Sequence, residues 1–260
     1  MKDLQLPYIP RLLLFDLDGT LLDSNKCISA RNKETIDQCR QRGIMIGIAT
    51  ARSESTCARF LHSVQPDLLI SSSGSLVRLH GIIIYQCGFS AEETSILVGA
   101  GVAEHRGITV DCEDVTYSNR DLSFFNEQGM EYTDYNHFSR SSLKICIEGS
   151  DTPFAEKTAS LVSDCCWLTF SDCDWFKFSK CNVSKGNALH HVADKTGIKT
   201  EEMMSFGDDY VDIEMLELCG TGIAMSNAAE KVKAHADAVI GDNNSDAIAD
   251  FLYSNIIRNQ

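Results

Sequence analysis

Short apolar runs alternate with longer amphipathic stretches through the first and last thirds of the chain. The apolar runs have the length of buried strands and lie at residues 12–15, 44–49, 68–70, 203–206 and 238–240. The stretch 30–42 has the spacing of a helix, with Ser29 before it as a candidate N-cap and Gly43 after it as a stop signal. Such alternation favours a parallel α/β sheet with right-handed crossovers.

The pattern changes between residues 88 and 179. Ser90 and Glu93 have the spacing of a capping box that starts a helix, and a second helix is expected after Pro153. Strand-type runs lie at 108–112, 143–148, 166–170 and 175–179. Because this block carries no motif of its own, we predict an inserted α+β cap at residues 88–179. Residues 1–87 together with residues 180–260 would form the core.

Two carboxylates follow the first apolar run. Asp16 ends the run and Asp18 lies two positions later, before a turn at Gly19 and Thr20. Buried parallel strands deliver functional residues at their carboxyl ends, where loops leave the sheet. The turn could bring Asp18 back towards Asp16, and two such anions need a cation or a proton between them. Taken alone, the pattern also fits an Asp-Gly hairpin turn that needs no chemistry.

Side chains suited to phosphate follow two further segments. Thr50 and Arg52 supply a hydroxyl donor and a cation after the run 44–49. Lys185 lies in the first turn of a predicted helix that Ser184 caps. Since a lysine there opposes the helix dipole, its position calls for an anionic partner.

A second group of carboxylates follows the run 203–206. Asp208, Asp209 and Asp212 lie there, just before another predicted helix. An acid near a helix N-terminus needs no other role. In company with Asp16, however, Asp208 is better explained as a metal ligand, whereas both explanations stay open for Asp209 and Asp212.

These four segments resemble the motifs of the haloacid dehalogenase (HAD) superfamily, and within it the Cof-type sugar-phosphatase-like branch. They are Asp16-x-Asp18-Gly19-Thr20, Thr50 within Ile-Ala-Thr-Ala-Arg52, Lys185 within Ser-Lys-Gly-Asn-Ala-Leu, and Gly207-Asp208-x-x-x-Asp212. A further family-like segment at 222–228 contains Asn227. Each motif alone is weak, but four in the right order are a strong signal. The resemblance spans almost the whole chain and implies a Rossmann-like parallel-sheet core with a C2 cap inserted between the second and third motifs.

The resemblance also implies an activity. It is that of a Mg²⁺-dependent phosphatase acting on a small phosphorylated metabolite, with a sugar phosphate as the first choice. Asp16 would attack phosphorus to form an aspartyl-phosphate, and Asp18 would act as acid and then as base. The implied metal ligands are Asp16, the backbone carbonyl of Asp18, and Asp208.

The remaining motif residues have implied supporting roles. Thr50 and Lys185 would hold the phosphoryl oxygens. Arg52 and Asn227 are candidate substrate contacts. Asp212 would either bind the metal through water or orient Lys185, and Asp209 is a second candidate for support around the metal.

The chain departs from the branch's usual pattern at three positions. Ala51 replaces a glycine, and Ser73 and Val211 each replace an asparagine. The loss of two amide side chains bears on leaving-group recognition and on support of the metal. None of the three changes removes the nucleophile, the acid/base or a metal carboxylate.

Two other functions stay open at this point. A phosphomutase would use the same aspartyl-phosphate but return the phosphoryl group to the substrate, and the placement of the cap after the second motif disfavours it. A catalytically silent sensor of phosphorylated metabolites would need no nucleophile. Intact Asp16 and Asp18 argue against a sensor.

Charge and composition bear on which partners the protein can have and on its cellular compartment. The formal net charge of −14 argues against nucleic acid and anionic membrane surfaces as partners. Residues 1–10 lack an apolar signal-type segment, and no run approaches ~18 apolar residues, so we expect a cytoplasmic protein. The 11 cysteines form no Cys-x-x-Cys pair. Reduced, mostly buried thiols are expected rather than disulfides or a zinc site. No motif specifies the oligomeric state.

Overall fold

Two β-sheets, with helices connecting many of their strands, form the part of the chain that the computed structural model describes, residues 8–121, 129–171 and 173–258. The strands are β1 (Leu12–Phe15), β2 (Met45–Ala49), β3 (Leu68–Ser71), β4 (Leu76–Leu79), β5 (Ile82–Gln86), β6 (Ile108–Asp111), β7 (Thr116–Ser118), β8 (Met130–Tyr132), β9 (Lys144–Glu148), β10 (Cys165–Thr169), β11 (Trp175–Lys180), β12 (Met203–Gly207), β13 (Thr221–Met225) and β14 (Ala238–Ile240). The helices are α1 (Ala30–Gln41), α2 (Glu54–Val64), α3 (Ala91–Ala103), α4 (Thr152–Ala159), α5 (Lys185–Thr196), α6 (Ile213–Leu218), α7 (Glu230–Lys233) and α8 (Ala247–Leu252). The predicted α/β class is confirmed.

The first sheet has eight strands in the order β14-β13-β12-β1-β2-β3-β4-β5. The strands from β14 to β3 are parallel, and β4 and β5 extend the sheet as antiparallel strands. Phe15 of β1 is in register with Phe206 of β12 and with Ile48 of β2. Because these three neighbours run parallel, the residues that follow them meet at one edge of the sheet, where ligands bind in folds of this type.

The side chains of β1 enter two separate core layers. Leu13 and Phe15 pack on the face covered by α1, α2 and α8. Leu12 and Leu14 pack on the opposite face, against α5 and α6. All four residues are fully buried, which explains why β1 is a continuous apolar run rather than an alternating one.

Serine side chains fix the starts of three helices that pack on the first sheet. Ser29 caps α1 as predicted, Ser53 caps α2 and Ser184 caps α5, each by accepting a hydrogen bond from the backbone N–H three residues later. A cap of this kind stabilises a helix by about 1 kcal/mol. The Ser184 cap makes Lys185 the first residue of α5. None of the helices formed by the described residues has the length and apolar content needed to cross a membrane.

The second sheet has six strands in the order β10-β11-β9-β6-β7-β8. An apolar layer that includes Leu97, Phe154 and Phe176 packs α3 and α4 against one face of this sheet. The predicted capping box of Ser90 and Glu93 is present at the start of α3. β7 and β8 were not predicted, because each has three residues and neither is an apolar run. The chain enters this sheet after β5 and returns to the first sheet with α5 and β12.

One disulfide contradicts the expectation of reduced thiols throughout. Cys166 is bonded to Cys181, which joins β10 to the segment that follows β11. The two sulfurs meet because β10 pairs with β11 and places Cys166 opposite Ser179, a pairing that cysteine spacing does not reveal. The other nine cysteines are free, and five of them are buried.

Candidate active site

Asp16 follows β1 and borders a cavity between the two sheets. Its backbone N–H donates to the carbonyl of Phe206 at 3.0 Å, which continues the β1–β12 ladder to this residue. The side chain is 7% exposed. Burial raises the pKa of Asp16 well above its usual range, and the Asp212 and Asp208 carboxylates add to the rise while Lys185 opposes it. The anionic form of Asp16 therefore depends on cations bound beside it.

Lys185 is fully buried and bridges two carboxylates. Its Nζ donates to Oδ1 of Asp16 at 2.6 Å and to Oδ1 of Asp212 at 2.5 Å. Burial disfavours the charged amine, but these two anions outweigh burial and raise the pKa of Lys185 above its ordinary value. The anionic partner expected from its place in a first helical turn is thus present twice.

Three carboxylates converge beside Lys185. One oxygen each of Asp16, Asp208 and Asp212 lies within 4.8 Å of the others. Oδ1 of Asp208 accepts a hydrogen bond from Thr20 Oγ1 at 2.6 Å, and burial together with the Asp212 charge raises the pKa of Asp208 to about 7. The raised pKa values of Asp16 and Asp208 indicate that Lys185 alone does not neutralise the group. Clustered carboxylate oxygens of this kind fit a divalent cation such as Mg²⁺.

Asp212 positions both Lys185 and the loop after β12. Its Oδ2 accepts the backbone N–H groups of Asp208 and Asp209, each at 3.0 Å, while Oδ1 contacts Lys185. A Cβ at Gly207 would lie 2.6 Å from the Cβ of Asp212, so only glycine permits this close approach. Of the two roles left open for Asp212, orientation of Lys185 is the one supported by a direct contact.

Asp18 borders the same cavity but contacts cations rather than Asp16. Arg52 donates from Nε to Oδ2 at 2.5 Å and from Nη2 to Oδ1 at 2.9 Å. Lys26 Nζ donates to Oδ1 at 2.6 Å. Burial opposes ionisation of Asp18, but Arg52 and then Lys26 outweigh it and lower the pKa to about 2. The expected approach of the Asp18 side chain to Asp16 is therefore replaced by an ion pair with Arg52.

Lys26 was not predicted as a site residue, because it lies outside the four motifs. It belongs to a turn that Asp23 closes, with Oδ1 accepting the N–H groups of Asn25 and Cys27, both at 2.8 Å. Lys26 has a left-handed φ of 58°, which is uncommon for a residue other than glycine. The turn directs its ammonium group at Asp18.

Thr50 and Asp209 also border the cavity. The Thr50 hydroxyl is buried and accepts the backbone N–H of Arg52 at 3.1 Å. Asp209 Oδ1 accepts the N–H groups of Ser171 at 2.9 Å and of Tyr210 at 2.7 Å. Asp209 therefore connects the loop after β12 to a residue near β10.

Asn227 is not among the described residues that border the cavity. Its Nδ2 donates to the carbonyl of Gly19 at 2.8 Å, and its Oδ1 accepts the N–H of Asn243 at 3.1 Å. These bonds hold the turn after Asp18. Its contacts in the structure are with Gly19 and Asn243, and a substrate contact at Asn227 stays a prediction.

The three departures from the family pattern have different settings. Ser73 has a left-handed φ of 61°, and its buried hydroxyl has no hydrogen-bond partner among the described atoms. Val211 borders the cavity and contributes an apolar patch there. The carbonyl of Ala51 accepts a hydrogen bond from Lys144 Nζ at 2.5 Å.

Lys144 and Asp111 form a buried ion pair on the second sheet. Lys144 Nζ lies 3.1 Å from Asp111 Oδ2, and the two side chains are only 8% and 5% exposed. Asp111 also accepts hydrogen bonds from Ser72 Oγ and Thr116 Oγ1, both at 3.0 Å. With the bond from Lys144 to Ala51, this network holds the second sheet against the loops after β2 and β3. This network could not be predicted from the sequence, because its members lie on strands and loops far apart in the chain.

The cavity has a volume of about 490 Å³. The first sheet and its loops contribute the charged end, which includes Asp16, Asp18, Arg52 and Asp208. The second sheet contributes the opposite wall, which includes Thr109, Asp111, Lys144, Cys146, Phe170 and Trp175. A charged end facing a mixed polar and aromatic wall suits a small molecule that carries a strongly anionic group at one end.

The chain is similar in sequence and in fold to known proteins. The model of the haloacid dehalogenase-like hydrolases matches residues 13–252. Pyridoxal phosphate phosphatase YbhA of Escherichia coli (strain K12) is 27% identical over 95% of this chain and 99% of its own length. A region of the chloroplastic endoribonuclease YBEY of Arabidopsis thaliana is 26% identical over 92% of this chain, which spans only 45% of that protein. The HAD subclass IIB sugar phosphatase BT4131 shares the fold, with a TM-score of 0.83 at 21% identity over 94% of this chain and 98% of that chain.

The match runs from β1 to α8 and so includes both sheets and all candidate site residues. The chain belongs to the haloacid dehalogenase-like hydrolase family, as its four motifs predict. It is an enzyme of the phosphoric monoester hydrolase class.

Proposed function

We propose that the protein hydrolyses a small phosphorylated metabolite through an aspartyl-phosphate on Asp16, with sugar phosphates as the foremost candidate class. The observation that carries the proposal is the contact of a fully buried lysine, Lys185, with the Asp16 carboxylate at the charged end of the cavity. The sugar phosphatase with the same fold and the pyridoxal phosphate phosphatase relative support it.

Asp16 is the proposed nucleophile. A carboxylate can attack phosphorus without losing a proton first, provided that it is ionised. Lys185 favours that ionised state through its 2.6 Å contact. When a phosphoryl group binds, Lys185 and the Thr50 hydroxyl are placed to hold its oxygens, where negative charge spreads in the transition state.

Asp18 is the proposed acid and base. Paired with Arg52 and Lys26 it has a pKa of about 2 and carries no proton to donate. We infer that an arriving phosphate draws these two cations towards its own oxygens. Freed from the pair in a dry cavity, Asp18 would have a higher pKa, could protonate the leaving oxygen and could later take a proton from water.

Mg²⁺ is the proposed cofactor. Asp16, the backbone carbonyl of Asp18 and Asp208 would hold it, with Asp212 supporting the Asp208 loop. Once bound, the ion would neutralise phosphoryl oxygens and lower the pKa values of Asp16 and Asp208. Thr20, which donates to Asp208 at 2.6 Å, would fix the rotation of that ligand.

Residues 88–179 are the proposed cap, which selects the leaving group. The candidate nucleophile, acid, phosphate contacts and metal ligands all lie outside this segment, whereas one wall of the cavity comes from it. A cover of this kind would also exclude bulk water from the aspartyl-phosphate.

A phosphate-release screen tests the proposal. It would include sugar phosphates, nucleotides, phosphorylated cofactors and p-nitrophenyl phosphate, with Mg²⁺, for the wild type and for Asp16→Asn. Release that the wild type shows and Asp16→Asn lacks supports the proposal. Isomerised product without free phosphate would replace it with a phosphomutase. Binding of phosphorylated compounds with no turnover of any ester would replace it with a sensor.

A further inference from the structure

Lys177 is a buried lysine of β11 in the second sheet. It is not itself among the described residues that border the cavity, but its neighbours on the sheet are. Phe176 and Phe178 of β11 pack into the apolar layer under α3 and α4. Because side chains alternate along a strand, Lys177 lies on the other face, with Trp175. Cys146 is its cross-strand neighbour on β9, and both Trp175 and Cys146 border the cavity.

Lys177 has no ion pair or hydrogen bond among the described residues, although it is only 6% exposed. Among the described residues that the second sheet contributes to the cavity, Asp111 carries a carboxylate, and Lys144 lies 3.1 Å from it. Asp111 also accepts bonds from Ser72 and Thr116, so its oxygens are already used.

The surroundings of Lys177 add positive charge. In the antiparallel β11–β9 pair, Lys177 lies opposite Cys146. Lys144 lies two residues before Cys146 on β9, so its side chain is on the same face as Lys177 and is a diagonal neighbour of it. Burial first, and then the charges of Lys144 and Lys185, lower the pKa of Lys177 to about 8. Glu214 opposes this shift without forming an ion pair.

Burying a cation without a counter-ion lowers the stability of the folded protein. A buried lysine of this kind is therefore expected to have an anionic ligand as its partner. The cost is notable in a chain with a net charge of −14, which has many carboxylates available for pairing. Lys185, in contrast, forms ion pairs with Asp16 and Asp212. The unbalanced charge therefore lies on the second sheet, close enough to Lys185 for the charge of that residue to act on Lys177.

We propose that the cavity receives a substrate with a second anionic group, a carboxylate or another phosphate, and that Lys177 with Lys144 forms its subsite. The inference rests on the proposed function, since it assigns a place for the leaving group of the phosphate ester. The phosphate would bind at Asp16, Thr50 and Lys185, and the second anion would lie towards β9 and β11.

A matched pair of esters tests the subsite. Glycerol 3-phosphate and 3-phosphoglycerate differ by one terminal group, a CH₂OH in the first and a carboxylate in the second. The kcat/KM of each would be measured for the wild type, for Lys177→Met, and for Lys157→Met as a control on the exposed surface of α4. We expect the ratio of kcat/KM for 3-phosphoglycerate to that for glycerol 3-phosphate to fall by about tenfold in Lys177→Met, mainly through KM, since a tenfold change is ~1.4 kcal/mol. The ratio should not change in Lys157→Met.

Stability supplies a readout that separates a binding role from a structural one. Lys177→Met should be at least as thermostable as the wild type, because it removes an unpaired buried charge. Lys144→Met should be less stable, because it leaves Asp111 buried and unpaired. An unchanged ester ratio in Lys177→Met would overturn the proposal, as would an equal loss for both esters.

Binding distinguishes failure of the subsite from failure of the proposed function. If the wild type hydrolyses neither ester, binding tests the subsite instead. The measurement is the rise in Tm that each ester produces in Asp16→Asn. A larger shift with 3-phosphoglycerate that Lys177→Met abolishes would support the subsite in a protein that does not turn these esters over. Equal shifts with both ligands would overturn the subsite and leave the phosphatase proposal to the wider screen.

Discussion

The guanidinium of Arg52 contacts both carboxylate oxygens of Asp18, at 2.5 and 2.9 Å. Arg52 comes from the loop after β2 and Asp18 from the loop after β1, so the pair exists because these strands are parallel neighbours. A bidentate pair of this geometry is strong and directional. It keeps the proposed acid ionised until a phosphate competes for Arg52.

Asp18→Asn should slow the hydrolysis of esters with poor leaving groups most. An amide cannot donate a proton to an alkoxide, whereas p-nitrophenolate leaves without protonation. We expect kcat to fall by roughly 10²-fold or more for an alkyl phosphate and by far less for p-nitrophenyl phosphate. The two esters would be compared on one enzyme preparation. Equal losses for both would remove the acid role from Asp18.

Asp16→Asn should abolish phosphate release while the fold persists. The volume hardly changes, but the amide cannot attack phosphorus, and we expect a loss of at least about 10³-fold. The measurement is phosphate release, with circular dichroism as the control for folding. Activity within tenfold of the wild type would contradict the nucleophile assignment.

Chelation should silence the enzyme, and Mg²⁺ should restore it. Ca²⁺ should restore it poorly, because its longer and more numerous oxygen bonds misplace a nucleophile that is also a ligand. Asp208→Ala should raise the Mg²⁺ concentration required or eliminate activity, while Asp237→Ala, away from the cavity, serves as the control. Full activity in excess EDTA would exclude the metal. An unchanged Mg²⁺ dependence in Asp208→Ala would leave Asp208 with a structural role at the loop after β12.

The fold was predictable from the sequence where a buried strand is a continuous apolar run, as in Leu12–Phe15, or where a cap follows standard chemistry, as at Ser29. β7 was not, since Thr116–Ser118 is short and polar. Its place depends on pairing with β6, which only the folded sheet provides.

The site was predictable to a similar extent. Lys185 was expected to need an anion, because its helical position opposes the dipole. Lys26 and Lys144 were not expected to border the cavity, because they belong to no motif and are brought there by a turn and by strand pairing. The disulfide of Cys166 was missed for the same reason.

Metal-free protein should lose stability as pH rises from about 5 to 7.5. The pKa of Asp208 is raised to about 7 in the folded state, against ~3.9 for an unperturbed aspartate. The folded chain therefore binds a proton that the unfolded chain has released in this interval, so stability falls as that proton is lost. Asp16 acts in the same direction. We expect a decrease of roughly 1–2 kcal/mol, or several degrees in Tm.

Tm in EDTA at pH 5 and at pH 7.5 measures this effect. Asp208→Asn, which carries no charge at either pH, should reduce the difference, and saturating Mg²⁺ should protect the protein most at pH 7.5. A difference of the same size in Asp208→Asn would assign the pH dependence to other groups.

Replacing residues 88–179 by a short Gly/Ser linker should leave some phosphatase activity but remove substrate discrimination. The eight-stranded sheet has its own apolar layers on both faces. The candidate catalytic residues lie on the loops that follow its strands and at the start of α5. We expect the shortened protein to bind Mg²⁺ and to hydrolyse p-nitrophenyl phosphate slowly, because the open site no longer excludes water. It should lose discrimination among metabolites, since the wall formed by Lys144, Cys146 and Trp175 is gone. Circular dichroism would establish folding first. A folded, shortened protein that kept the substrate ranking of the full chain would place specificity in the core loops around Ser73 and Val211.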